Sequence, residues 1–273
     1  MRTKDLAKFI GARESLRLKK ERYPSRDSWT TDQILATYRF CNVHREDDKV
    51  TRYIAATWRE PLKNEPDLWF AMVIARLFNL PSTLAMLSPL PFKPELMRSQ
   101  LHALRKHQPI FNGAYIVSTN GKAMDKVDYL VTHVLGPLWA ARKTLRPKIG
   151  DTLAEYHAKL MKFDGLGSFM AAQVVADLKY MPPLKFADDW WTWAASGPGS
   201  RRGLNRVCEH QLDEPWREPQ WLMMLTQLRA QVLPLLGVEL HAQDLQNCLC
   251  EFDKYERVRL GEGRPKQLYR HHA

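Results

Sequence analysis

Cysteine is scarce in this chain. The four present, Cys41, Cys208, Cys248 and Cys250, are not spaced as a disulfide framework, which argues against a small secreted scaffold and predicts reduced thiols. Cys248-Leu249-Cys250 lacks the spacing and the second pair of a tetrahedral zinc site, and there is no four-cysteine cluster to hold an iron–sulfur centre. No metal is therefore expected from the cysteines. No apolar run approaches the length of a membrane span, so no membrane partner is expected. Residues 1–20 are charged throughout, unlike a secretory leader, and the expected place is the cytoplasm. A Gly-x-x-x-x-Gly-Lys-[Ser/Thr] phosphate loop is missing, so nucleoside triphosphate chemistry of that type is not expected here. Alternation of apolar and polar residues is almost absent, which disfavours a sheet.

What the chain has is positive charge. Its 273 residues carry 41 Lys+Arg against 30 Asp+Glu, a formal charge of +11. Such a surplus attracts polyanions and points to DNA. Hydrophobic residues make up 45%, ample for a core, and their spacing is helical. Residues 1–28 read as a basic N-terminal arm and 29–273 as one helical domain. Thr30/Thr31-Asp32 suits a helix start, and the helix is expected to run to about Trp58. Residues 68–78 are apolar nearly all round, as in a buried helix. Further helices are expected over 94–106, 125–135, 219–236 and 244–257. The fold class is mostly α.

A hairpin is expected at 153–179. Two periodic segments, 153–162 and 169–178, flank Phe163-Asp164-Gly165-Leu166-Gly167-Ser168. Gly165 and Gly167 suit a tight turn, and Ser168 suits the cap of the second helix. The N–H groups starting that helix suit an anion. The plain alternative is an ordinary turn between helices. The segment resembles the helix-hairpin-helix of DNA-repair glycosylases. That resemblance implies a glycosylase-like fold with two helical lobes around a cleft, and a DNA phosphate seated at Gly165, Gly167 and Ser168.

Two other segments carry unusual polarity. On a continuous helix, Asn42, Arg45, Lys49 and Arg52 share one side, with Asp48 beside Arg45, where an oriented guanidinium suits phosphate. After the hairpin, residues 187–206 combine Trp190, Trp191 and Trp193 with Gly197-Pro198-Gly199 and Arg201, Arg202 and Arg206. Small residues let a ligand approach backbone N–H groups, arginines clamp anions, and tryptophans either fill a core or stack on an extruded base. Hairpin glycosylases place a catalytic aspartate about twenty residues after the turn, and Asp188 and Asp189 occupy that register. Trp190-Trp191 departs from the glycosylase flank.

Four blocks together carry a wider resemblance. They are Phe40-x-Asn42-x-x-Arg45-x-x-Asp48, then Phe111-Asn112-Gly113-Ala114-Tyr115, then the hairpin glycines with Gly197-Pro198-Gly199-x-Arg201-x-Gly203, and last Leu249-Cys250-Glu251-Phe252-Asp253-Lys254-Tyr255-x-Arg257 with Gly261-x-Gly263. The chain resembles the α-glutamyl/putrescinyl thymine pyrophosphorylases, or amino acid:DNA transferases, over roughly residues 30 to 265. These are DNA base hypermodification proteins of phage-type systems, and a related helical domain is fused to 5-hydroxymethyluracil DNA kinases. The resemblance implies displacement of pyrophosphate from 5-pyrophosphoryloxymethyl-deoxyuridine in DNA by a small amine donor, an amino acid or a polyamine. A 5-hydroxymethyluracil DNA kinase is the upstream enzyme, and the setting is host cytoplasm if the chain is phage-encoded.

In that scheme Arg45, Arg201, Arg202, Lys254 and Arg257 gather round the leaving group, Asn42 reads a pyrimidine edge and Tyr115 lines the pocket. Asp189, Asp188 or Asp48 takes the amine proton. No cofactor is implied beyond a divalent ion that would accompany pyrophosphate. Two other readings stay open, a glycosylase excising a modified base and a non-catalytic DNA-binding protein.

Overall fold

The computed structural model describes the whole chain except residues 27, 114–117, 266–267 and 269–273. Among the described residues there is no strand, and one isolated antiparallel bridge joins Tyr38 and Leu268. The protein is all-helical. The chain divides into two compact units, one of Met1–Asp48 with Trp191–Ala273 and the other of Lys49–Trp190.

In the first unit, helix Thr3–Arg22 buries Leu6, Phe9, Ile10 and Arg13, a single stripe at helical spacing. The start of the chain is therefore a core helix and not a solvated arm. It packs on helices Glu218–Leu236 and Ala242–Arg259. The former turns Trp221, Leu225, Leu228 and Val232 inward. Helix Pro198–Cys208 crosses Ala242–Arg259 at close range. A Cβ on Gly199 would stand 2.4 Å from Cys250 Sγ, and one on Gly203 would stand 2.0 Å from the Leu249 carbonyl oxygen. The glycines that read as a ligand loop instead open a helix and let two helices touch.

The helix that starts after Asp32 is much shorter than its sequence suggests. Asp32 caps it through Ile34 and Leu35 N–H, as expected. It ends at Thr37, and Tyr38 is extended. A short 3-10 turn follows at Arg45–Asp47, then helix Lys49–Ile54, which continues as a π turn over Ala55–Arg59. Side chains compete here for the helical hydrogen bonds. Asp48 accepts the Asn42 N–H at 3.1 Å, Asn42 Nδ2 donates to the Asp47 carbonyl at 2.9 Å, and Arg13 donates to the carbonyls of Cys41 and Asn42. Asn42, Arg45, Lys49 and Arg52 therefore do not share a helix face.

The second unit is built on helix Leu68–Phe78, all of whose residues are buried, as its composition predicts. It packs against Ser168–Leu178, the second helix of the hairpin. Arg76, fully buried, forms an ion pair with Asp177 and donates to Asn79 at 3.1 Å and Thr51 at 3.2 Å. The first hairpin helix, Leu153–Leu160, opens with a reciprocal Thr152/Glu155 cap.

Candidate nucleic-acid interface

Asp253 collects three arginines. It lies on helix Ala242–Arg259 and is buried, at 4% exposure. Arg206 Nε donates to one oxygen at 2.7 Å, while Arg202 Nε and Arg257 Nε stand 3.3 and 3.5 Å from the other. Arg206 is fully committed, because it also pairs with Glu262. That contact holds the Glu262 carboxyl below its usual range. Arg202 and Arg257 are different. Their side chains are 38% and 39% exposed, and among the described residues no partner takes their terminal N–H groups. Three guanidinium charges thus face two carboxylates, with Arg202 hydrogen-bonded to Asp253 through Nε, Arg257 held beside it by charge alone, and the outer edges of both in water. Such pre-oriented forks match phosphate.

Two other cationic candidates, Arg201 and Lys254, make close contacts with neighbouring groups. Arg201 donates to Ser196 Oγ at 2.8 Å and to Glu218 at 3.0 Å. Burial would raise the Glu218 carboxyl, but Ser196 and Arg201 overcome it and hold it low. Lys254 stands 2.5 Å from Glu251, donates to the Arg39 carbonyl at 2.9 Å and lies over the Phe40 ring. Arg45 gives its backbone N–H to Asp244 at 3.0 Å. Burial pushes the Asp48 carboxyl up, against the Asn42 N–H, Arg45 and Arg13. The Asn42 and Asp48 side chains and the Arg45 backbone N–H thus close the 38–48 segment.

In the hairpin, Gly165 has φ +82°, and a Cβ there would meet Val134 at 2.6 Å. Gly167, not Ser168, is the N-cap of the second helix and has an ordinary φ of −62°. Ser168 is the first helical residue, and its carbonyl takes a 2.9 Å contact from His157 Nε2. The space a Gly167 Cβ would enter is open. Asp189 accepts the Leu153 and Ala154 N–H groups at 2.7 and 3.0 Å and so anchors the first hairpin helix. Asp188 is exposed. Trp190 Nε1 donates to the Lys179 carbonyl at 2.7 Å, Trp193 is buried and Trp191 is exposed. Tyr115 lies outside the described residues.

One cluster has metal-like composition, His102, Asp125 and Asp128, with ligand atoms within 4.8 Å of one another. Arg105 donates to Asp125 at 2.5 Å and to His102 Nδ1 at 3.1 Å, and Arg98 faces Asp128 at 3.4 Å. His102 Nε2 then carries its hydrogen toward Asp128 and has no lone pair for a metal.

Sequence reasoning passed over several of these groups. Arg13 continues the Leu6, Phe9, Ile10 stripe one turn on, a spacing that marks it as buried. The pairs Arg202/Arg206 and Asp253/Arg257 stand at i and i+4. The Arg76–Asp177 pair spans 101 positions and leaves no local signal.

A family model described as 5-hmdU DNA kinase, helical domain, matches residues 2–264. Among curated proteins the chain is similar to "5-hmdU DNA kinase" of Bacillus phage SP10, 26% identical over 263 residues. The match covers 83% of this chain and 40% of that protein, so the chain spans less than half of its relative. No solved structure matches. These findings overturn the assignment to the thymine pyrophosphorylases, and with it the displacement of pyrophosphate by an amine. The physical reason lies in what the four blocks do. Gly199 and Gly203 permit a helix crossing, Asn42 and Asp48 close a turn, and Asn112 Nδ2 donates to the Asn79 carbonyl. Such residues report a helical scaffold, not a reaction.

Proposed function

The chain belongs to the 5-hmdU DNA kinase helical-domain family, and from that premise we propose that it holds DNA while a 5-hydroxymethyluracil base is phosphorylated, a step in thymidine hypermodification. The observation that carries this reading is the pair of forks, Arg202 and Arg257, set on buried Asp253. A duplex presents phosphates at regular spacing, and arginines pre-oriented by a buried carboxylate lose little entropy on meeting them. The charge of +11 supports the same partner. In the second unit, the start of helix Ser168–Leu178, with open space at Gly167, suits a further backbone phosphate, as in the hairpin of glycosylase-like folds.

The test is the salt dependence of DNA binding by the full chain. Each phosphate contact contributes about one to the slope of log affinity against log salt. Arg202→Ala with Arg257→Ala should weaken binding and flatten the slope by about two. Unchanged affinity and slope, with the helical circular dichroism intact, would remove the arginine pair from the interface.

A further inference from the structure

A second cluster sits at the opening turn of helix Ala242–Arg259, away from the Asp253 arginines in sequence. His241 Nδ1 accepts the Asp244 N–H at 3.2 Å, so its Nε2 carries the hydrogen that faces Asp244 at 3.2 Å. Asp244, 2% exposed, also accepts the Arg45 N–H at 3.0 Å and stands 3.3 Å from His44 Nδ1. A carboxylate only accepts, so His44 donates through Nδ1 and its lone pair is on Nε2. Among the described residues Nε2 has no hydrogen-bond partner, and the side chain is 31% exposed. The bond to Asp244 raises the His44 pKa against its partial burial, and Glu14 and Asp47 add to that.

Two neighbours complete the cluster. Gln243 is 8% exposed, and its side-chain oxygen is buried with no donor among the described residues. A buried acceptor in that state is costly unless a donor arrives. The Trp191 carbonyl accepts the Ala242 N–H at 3.0 Å, which fixes Trp191 beside the same turn. Its indole is 44% exposed, with the Arg229 guanidinium 5.4 Å from the ring centre.

We propose that this turn reads the extruded base, with Trp191 stacking on a pyrimidine, Gln243 accepting its N3–H and His44 accepting the hydroxyl of a 5-hydroxymethyl group. The inference rests on the DNA reading above and adds its specificity. A uracil ring supplies an N3–H where cytosine has a bare nitrogen, and the hydroxymethyl group supplies an O–H where thymine has only a methyl. The three bases therefore separate the two hydrogen bonds.

The experiment is fluorescence anisotropy of the full chain at alkaline pH, which favours the neutral His44 imidazole. The probes are three oligonucleotides that differ at one position, 5-hydroxymethyluracil, thymine or 5-hydroxymethylcytosine. The native chain should favour the first over each of the others by about tenfold, the scale of one hydrogen bond. His44→Ala should erase the preference over thymine and keep that over 5-hydroxymethylcytosine. Gln243→Ala should do the reverse, and Trp191→Ala should weaken all three. Affinity for the thymine probe is the folding control for the first two variants. If Gln243→Ala unfolds, the half-exposed His44 variant decides alone. Equal, salt-dependent binding to all three probes by the native chain would overturn the base-reading site and leave the DNA interface standing. No binding to any probe would overturn both.

Discussion

Asp253 shows how one buried carboxylate organises a surface. Three arginines lean on it, yet Arg206, at 4% side-chain exposure, depends on it most. Asp253→Asn would leave that guanidinium with Glu262 alone and should cost about 3 kcal/mol in urea unfolding. A loss well under 1 kcal/mol would mean that buried Arg206 does not depend on Asp253. Glu256 makes a separate prediction. Burial would raise its carboxyl, but Arg259 and Arg2 overcome this and hold it below the usual range. A carboxyl lowered by folding stabilises above its unfolded pKa, and that stabilisation is lost as pH falls through the folded value. Melting temperatures of the native chain and Glu256→Gln should therefore differ at neutral pH and converge as pH falls through the lowered Glu256 carboxyl range. A gap that persists in acid would assign the effect to packing.

Among the elements, the crossing of Pro198–Cys208 and Ala242–Arg259 is the least tolerant contact. Gly203 meets backbone, which cannot swing aside, so Gly203→Ala should destabilise by about 2 kcal/mol or more, measured by thermal unfolding. Gly167→Ala enters open space and should leave stability nearly unchanged, and normal folding of both variants would refute the close crossing. The contrast also shows what sequence makes legible. Helix Leu68–Phe78 was readable to the residue, because apolar side chains all round admit few other structures. The hairpin was readable from its glycines, although the cap fell on Gly167 rather than Ser168. The stretch after Asp32 misled, because long-range donors such as Arg13 break a helix that local periodicity favours. At the candidate site, Arg202 and Arg257 were legible as basic residues in a glycine-rich and an acidic block. Their common anchor required the fold, as did the Asp189 cap. Family motifs carried the reading to DNA base modification and then to the wrong reaction, since packing residues are shared by proteins with different chemistry.

For the whole molecule, charge and length set the terms. A formal charge of +11 on 273 residues favours a polyanionic partner, which is the premise of the proposed DNA role. No helix among the described residues is long and apolar enough to cross a membrane. The most direct measurement is the affinity of the native chain for a duplex containing 5-hydroxymethyluracil, followed from about 50 to about 200 mM salt. Binding through Arg202 and Arg257 predicts a straight log–log plot with a slope of about −2 or steeper. Absent binding, or binding indifferent to salt, would contradict the assignment of DNA as the partner.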